Sequence, residues 1–339
     1  MLVSWNTTNQ CNMFCDHCYR DAGVKLEDEL TTSQGKTLID QIKEAGFRMM
    51  IMSGGEPLMR PDIFELCAYA VSRGLRTVMG TNGTLITPQV ADELRRTGVA
   101  ACAVSLDSIA ASEHDAFRKL EGAYDMALQG IANLKRAGIP FQINTTVMDW
   151  NVAHLDALTD KAIELGAKAH HLFFLIPTGR AVSIEQEALR VREYERILHR
   201  IMEKQKQVAI EIKPTCAPQF VRVADAKGIP IRFTRGCLAG ISYCIISPTG
   251  DVQPCAYLDM RLGNVKRESF ADIWRQNPVL KELRSQRYGG KCGCCEYTNR
   301  CGGCRARAYY YSGGDYMAQD DWCLYQPKEL RRVDMTWTG

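Results

Sequence analysis

Short apolar runs alternate with longer amphipathic stretches through the first half of the chain. The apolar runs fall at Leu2–Thr8, Met49–Ser53, Thr77–Thr81, Ala101–Leu106, Phe141–Val147 and His170–Ile176. Each is short and almost continuous, the pattern of parallel strands buried on both faces. Between them apolar positions recur at helical spacing: Leu38, Ile39, Ile42 and Ala45, then Ile63, Leu66, Cys67 and Ala70, and later Leu155, Leu158, Ala162 and Leu165. Gly46, Gly74, Gly98, Gly138 and Gly166 each follow a helical run and predict C-terminal stops. Six strand–helix units in succession predict a parallel α/β architecture, doubly wound or barrel-like; the pattern does not choose between them.

Composition narrows the function classes. The 339 residues carry 42 Lys+Arg against 39 Asp+Glu, a net charge of +3, which argues against nucleic-acid binding by bulk electrostatics. No apolar run reaches the length of a membrane span, and the N-terminus lacks the basic and apolar regions of a signal peptide. The abnormal number is 15 cysteines. Clustered cysteines without an export signal point to metal or redox chemistry in a reducing cytoplasm. Three lie within residues 11–18 and nine within 237–323, so the composition shifts near Gly228-Ile229-Pro230. That shift predicts an α/β domain over 1–228 and a cysteine-rich one over 229–339.

The polar residues that interrupt the pattern fall at the carboxyl ends of the runs. Ser53-Gly54-Gly55-Glu56-Pro57 follows the second, and Thr81-Asn82-Gly83 the third. Ser105 and Asp107 end the fourth, Asn144 and Thr145 lie in the fifth, and Pro177-Thr178-Gly179-Arg180 follows the sixth. Chemistry in α/β sheets and barrels sits at these ends, which predicts one composite site. The cysteine loop follows the first run. Cys11-x3-Cys15-x2-Cys18 puts three thiols on it with no fourth nearby. Three soft thiolates can hold three irons of a four-iron cubane and leave the last iron open.

With Gly54-Gly55-Glu56-Pro57 after the second strand, this loop resembles the radical S-adenosylmethionine enzymes over residues 2 to about 180. The resemblance implies a partial (β/α)6 TIM-like barrel. It implies a [4Fe-4S] cluster on Cys11, Cys15 and Cys18, with S-adenosylmethionine chelating the open iron. It places Gly54, Gly55, Glu56 and Pro57 near the cofactor's amino group, with Asn82 and Asn144 at the same cofactor, and Ser105 and Asp107 at its ribose. His17 stands where the family usually has an aromatic that touches adenine.

The C-terminal region reads Cys237-x6-Cys244-x5-Gly250-x4-Cys255, then Cys292-x2-Cys295-x5-Cys301-x2-Cys304, then Cys323. Five residues between the two Cys-x2-Cys pairs are too few for a zinc ribbon. The spacing resembles the SPASM extension of the same enzymes over residues 230 to 327. That resemblance implies two auxiliary [4Fe-4S] clusters, one on Cys237, Cys244, Cys255 and Cys304, the other on Cys292, Cys295, Cys301 and Cys323. Cys294 could compete with Cys295, and Cys67 and Cys102 suit core packing.

Three stretches, Ser4–Asn9 with Cys18–Gly23, Lys213–Gln219 and Cys301–Tyr309, resemble radical enzymes of the siroheme-based heme and heme d1 pathways. The implied activity is removal of acetate or propionate groups from an iron tetrapyrrole, most like the 12,18-didecarboxysiroheme deacetylase step. Decarboxylation of iron-coproporphyrin and heme d1 reactions are the near alternatives, a SPASM peptide maturase a further one, and a non-catalytic electron carrier the last. A ferredoxin or flavodoxin would be the reducing partner. Arg20, Arg180, Arg305 and Arg307 are candidate carboxylate donors. His170, His171 and Cys216 are candidate ligands to tetrapyrrole iron. Tyr309, Tyr310, Tyr311 and Cys216 are candidate proton or hydrogen donors, with Cys216 the first choice.

Overall fold

The computed structural model describes residues 1–233 and 235–330, so the last part of the predicted 229–339 segment lies outside the described residues. The strands are β1 (Leu2–Asn6), β2 (Met49–Ser53), β3 (Arg76–Thr81), β4 (Cys102–Ser105), β5 (Phe141–Val147), β6 (Ala169–Phe174) and β7 (Glu211–Thr215). The intervening helices are α1 (Thr32–Glu44), α2 (Ile63–Ser72), α3 (Pro88–Arg96), α4 (Ala111–Arg118), α5 (Ala123–Arg136), α6 (Leu155–Leu165) and α7 (Val191–Gln207). All adjacent pairs from β1 to β7 are parallel, as successive strand–helix units require.

Local chemistry fixes the boundaries. Thr31 and Gln34 form a reciprocal capping box at the start of α1, and Gly166 ends α6 in the left-handed conformation. Leu38, Ile39 and Ile42 of α1 pack on Val3, Trp5, Met50 and Met52 in the main core. Gly35 lets the helix lie against the sheet, since a Cβ there would meet the Trp5 ring at 2.6 Å.

The strands are not buried on both faces. Burial alternates along β2, β5 and β6: one face packs on the helices, and the other is only half-buried. The half-buried face carries Ser105, Asn144, His171 and Lys213.

The sheet does not stop near Gly228. Three further strands, β8 (Tyr243–Ile246), β9 (Asp251–Gln253) and β10 (Gly263–Asn264), extend it beyond β1. β8 pairs with β1 in parallel, and the order is β10-β9-β8-β1-β2-β3-β4-β5-β6-β7. Segments far apart in sequence therefore flank one surface.

Candidate active site

Neighbouring loops hold the first cysteine loop. Cys11 N–H donates to Gly23 O (2.9 Å), and Arg180 N–H donates to Cys18 O (2.9 Å). The Arg180 side chain donates to Cys15 O and Ala22 O, both at 2.9 Å, so this predicted carboxylate donor instead braces the loop. Gly179 allows that grip, because a Cβ there would sit 2.6 Å from Cys18 O. The three thiols pack around Met13, Ala123 and Leu120.

The Gly-Gly-Glu-Pro loop locks onto the same element. Gly55 N–H donates to Thr8 O and Glu56 N–H to Gln10 O, each at 2.8 Å. A Cβ on Gly54 or Gly55 would lie 2.6 or 2.3 Å from those carbonyls, so both positions demand glycine. Pro57 opens the short 3-10 turn that follows. Glu56 is wholly buried and accepts from Thr81 Oγ1 (2.8 Å) and Asn82 N–H (2.8 Å). Burial pushes its carboxyl up to about 7, against the pull of those hydrogen bonds. The Asn82 amide bonds Asn12 (2.8 Å) and Thr84 (2.9 Å), tying the end of β3 to the cysteine loop.

The expected pair after β4 is divided. Ser105 and Asn144 stand side by side on the half-buried face. Asp107 does not join them. It is wholly buried, accepts from Arg118 Nε and Thr146 N–H (both 2.7 Å), and so has no oxygen turned to a ribose. Burial alone would raise its carboxyl, but Arg118, His17 and His114 bring it down to about 2. Arg118, which the sequence pattern did not single out, is also close enough for its charge to act on Cys15. His17 stacks on Phe117 at 4.2 Å, and burial lowers it to about 3, so it is a neutral ring.

The second cysteine set divides into two groups. Cys292, Cys295, Cys301 and Cys323 line one recess, together with Arg222, Lys291 and Tyr325. Cys294 is not in that lining; its thiol points to Lys291 O at 3.7 Å. The other group corrects the sequence reading. Cys244 lies on the helix-facing side of β8, fully buried beside Val3 and Ile246 in the main core. Alternation along the strand turns its thiol away from Cys237, Cys255 and Cys304. Cys216 lies with them instead. It packs with Cys304 and Cys255 around Ile176 and Leu258, close enough for its thiol and that of Cys304 to act on each other electrostatically. The charges of Cys237, Cys255 and Cys304 also act on one another. Cys216 has φ 60°, a left-handed conformation uncommon for a residue other than glycine, and Arg307 Nη2 holds its carbonyl at 2.9 Å. Among the described residues no three His, Cys, Asp or Glu side chains converge tightly enough for a single metal ion.

Other candidates are committed elsewhere. Arg305 is fully buried and donates to Tyr316 O and Ala318 O; Arg307 pairs with Asp320 at 3.0 Å. His170 has both ring nitrogens occupied, by Thr145 Oγ1 (2.9 Å) and Thr159 Oγ1 (3.0 Å), which removes it as an iron ligand. Tyr310 and Tyr311 both bond Glu185. Arg20 remains at the site: with the Asn6 amide turned so its oxygen faces the guanidinium, the contacts are 3.0 and 3.2 Å. The Tyr19 ring, next to Cys18, lies 5.2 Å from that of Tyr257, which follows Cys255. The three-thiol loop and the Cys216 group thus face each other across an aromatic pair.

Residues 5–162 match the Radical SAM superfamily, and residues 237–302 match SPASM, described as an iron-sulfur cluster-binding domain. The AdoMet-dependent heme synthase of Methanosarcina barkeri is 43% identical, over 96% of this chain and 97% of that protein. This chain is a radical SAM enzyme with a SPASM domain. The Fe-coproporphyrin III synthase of the same organism is 30% identical, over 97% of this chain and 89% of that protein. Among solved structures, Streptococcus suis SuiB bound to its precursor peptide SuiA superposes with a TM-score of 0.76 at 17% identity, covering 96% of this chain and 76% of that one. That likeness shows the same overall fold over nearly the whole chain. No helix among the described residues is long and apolar enough to cross a membrane.

Proposed function

We propose that this enzyme makes heme by converting propionate side chains of an iron-coproporphyrin to vinyl groups. The observation that carries this reading is the contrast between two relatives from one organism: 43% identity to the heme synthase and 30% to the Fe-coproporphyrin III synthase, at full-length coverage of this chain. The deacetylase step that the sequence motifs first suggested becomes the second reading, favoured by the latter relative. In the proposed reaction a hydrogen atom leaves the propionate β-carbon. The resulting radical then loses carbon dioxide and one electron, and a vinyl group remains.

The chain's thiols suit three four-iron clusters. Cys11, Cys15 and Cys18 would hold the one that binds S-adenosylmethionine. Cys216, Cys237, Cys255 and Cys304 would hold one auxiliary cluster, and Cys292, Cys295, Cys301 and Cys323 the other. When bound, these groups would supply one-electron chemistry: cleavage of the cofactor to a 5′-deoxyadenosyl radical, and uptake of the electron released by the substrate. Gly54, Gly55, Glu56, Pro57 and Asn82 shape the loop over the first cluster, while Ser105 and Asn144 offer polar contacts to the cofactor. Residues 1–228 supply the strands β1 to β7, and residues 229–330 supply most of the auxiliary thiols, with Cys216 reaching across that division. A ferredoxin or flavodoxin would supply electrons, and such clusters suit a reducing, oxygen-poor cytoplasm.

The test is anaerobic incubation of the reconstituted enzyme with iron-coproporphyrin III, S-adenosylmethionine and dithionite. The expected result is 5′-deoxyadenosine above the substrate-free control and loss of one carbon dioxide and two hydrogens per group converted. Turnover of didecarboxysiroheme alone would favour the second reading, and turnover of neither would overturn both.

A further inference from the structure

The half-buried face of the sheet carries polar side chains in register. Ser105 of β4 pairs with Asn144 of β5, Asn144 with His171 of β6, and His171 with Lys213 of β7. Neighbouring strands lie about 4.8 Å apart, so this row runs on the order of 14 Å across the sheet. Ser105 and Asn144 stand at the end read as the cofactor side. At the other end, Lys213 lies three residues before Cys216.

Two members of the row are engaged with Gln142. Its Nε2 contacts Asn144 Oδ1 (2.9 Å) and His171 Nδ1 (3.0 Å). Lys213 is different. Its ammonium lies 3.7 Å from the Phe233 ring centroid and makes no hydrogen bond or ion pair with the described residues. The acid two residues away, Glu211, faces Arg232 at 3.9 Å; its charge also reaches Lys213 without forming an ion pair, and its Oε1 is buried without a hydrogen-bond partner. On the next row, beside Phe173, Thr215 Oγ1 is buried without a hydrogen-bond partner. The buried hydroxyl lacks the partner that burial normally requires, and the half-buried ammonium on the same face has no acceptor among the described residues. Three of the four candidate arginines are committed, Arg180 to the cysteine loop, Arg305 to carbonyls and Arg307 to Asp320, while Arg20 lies beside Asn6.

We propose that Lys213 and Thr215 bind a carboxylate of the substrate and anchor it between the cofactor end of the row and the Cys216 group. The proposal rests on the tetrapyrrole reading and adds the residues that recognise the substrate's acid groups. A lysine suits this position, because a compact ammonium can follow a flexible propionate without the fixed geometry of a guanidinium. The carboxylate would receive a charge-assisted hydrogen bond from Nζ and a second from Thr215 Oγ1. Lys213 is then a positioning residue, and its loss acts on binding before it acts on turnover.

Absorbance titration of the iron-loaded enzyme with iron-coproporphyrin III tests this, alongside iron analysis. Lys213→Gln should weaken binding about 10- to 100-fold, the range for a lost charged hydrogen bond, with iron content retained. KM should rise more than kcat falls, and Lys213→Arg should recover most of the affinity. The tetramethyl ester of the same porphyrin should bind wild type and Lys213→Gln alike. Equal affinity of wild type and Lys213→Gln for the free acid would overturn the proposal. If Lys213→Gln loses iron, wild type alone decides: equal affinity for acid and ester would also overturn it. If wild type binds no iron-coproporphyrin III, the tetrapyrrole reading fails as well.

Discussion

The two cysteine regions solve the same problem in opposite ways. The first gathers its thiols from eight consecutive residues, Cys11 to Cys18, and relies on the surrounding loops to hold that segment still. The second draws Cys216, Cys237, Cys255 and Cys304 from segments far apart in sequence. The local loop offers three thiols and leaves room for a non-protein ligand. The assembled groups each offer four. Both regions set a buried Arg–Asp pair beside their thiols: Arg118–Asp107 at 2.7 Å and Arg307–Asp320 at 3.0 Å. The guanidinium charge acts on Cys15 in the first and on Cys304 in the second. Thiolate clusters are anionic, so a fixed cation nearby favours their loading in each case.

The sharpest way to separate the regions is to remove one thiol from each. Cys15→Ala should abolish 5′-deoxyadenosine formation, at least ~1,000-fold, and lower bound iron by about a third of the ~12 atoms that three four-iron clusters hold. Colorimetric iron analysis and product chromatography read both. Retention of cofactor cleavage in that variant would remove the first loop from the reaction.

Next comes the choice between Cys216 and Cys244. Cys216→Ala should lose or convert one auxiliary cluster, seen as lower iron content and an altered electron paramagnetic resonance spectrum of the reduced enzyme. Cys244→Ala should keep its iron and cost only about 1–2 kcal/mol of stability, the scale of a small buried cavity. The opposite outcome would restore Cys244 to the cluster and leave Cys216 as a strained thiol without a metal role.

Much of this arrangement is legible in the sequence, and the exceptions share a cause. The six strands of the first half, the cysteine loop and the glycines at 54 and 55 are local features, set by runs, spacing and close backbone approach. β7 is harder to see because Pro214 interrupts a short polar run, Glu211–Thr215. Cys244 looks like a ligand because spacing counts residues but does not record which strand face each occupies. Cys216 looks isolated because its partners are distant in sequence. Lys213 has no signal in a one-dimensional pattern: its lack of a partner exists only once β5, β6 and β7 are in register. Arg118 and Asp107 meet across a loop-and-helix connection that no motif announces.

The smallest effect on turnover is expected from the two ion pairs, and it tests whether they brace the regions equally. Asp107→Asn and Asp320→Asn each leave a buried guanidinium without its counter-charge, at a cost of about 3–5 kcal/mol. Asp320 accepts additionally from Gln219 Nε2 (2.7 Å) and Cys304 N–H (2.8 Å), so its replacement should fall at the upper end and loosen iron in the second region. Asp107→Asn should fall lower and spare that iron. The folded carboxyl of Asp107, at about 2, lies below its ordinary 3.8, so between those values the folded state binds fewer protons than the unfolded one. Its contribution is fully present above about 3.8 and is lost as pH falls through about 2. The thermal-melting difference between wild type and Asp107→Asn should therefore stay constant from about pH 5 to pH 8. A difference that grows or shrinks within that range would assign the effect to another group, and equal iron loss in both variants would erase the distinction between the two regions.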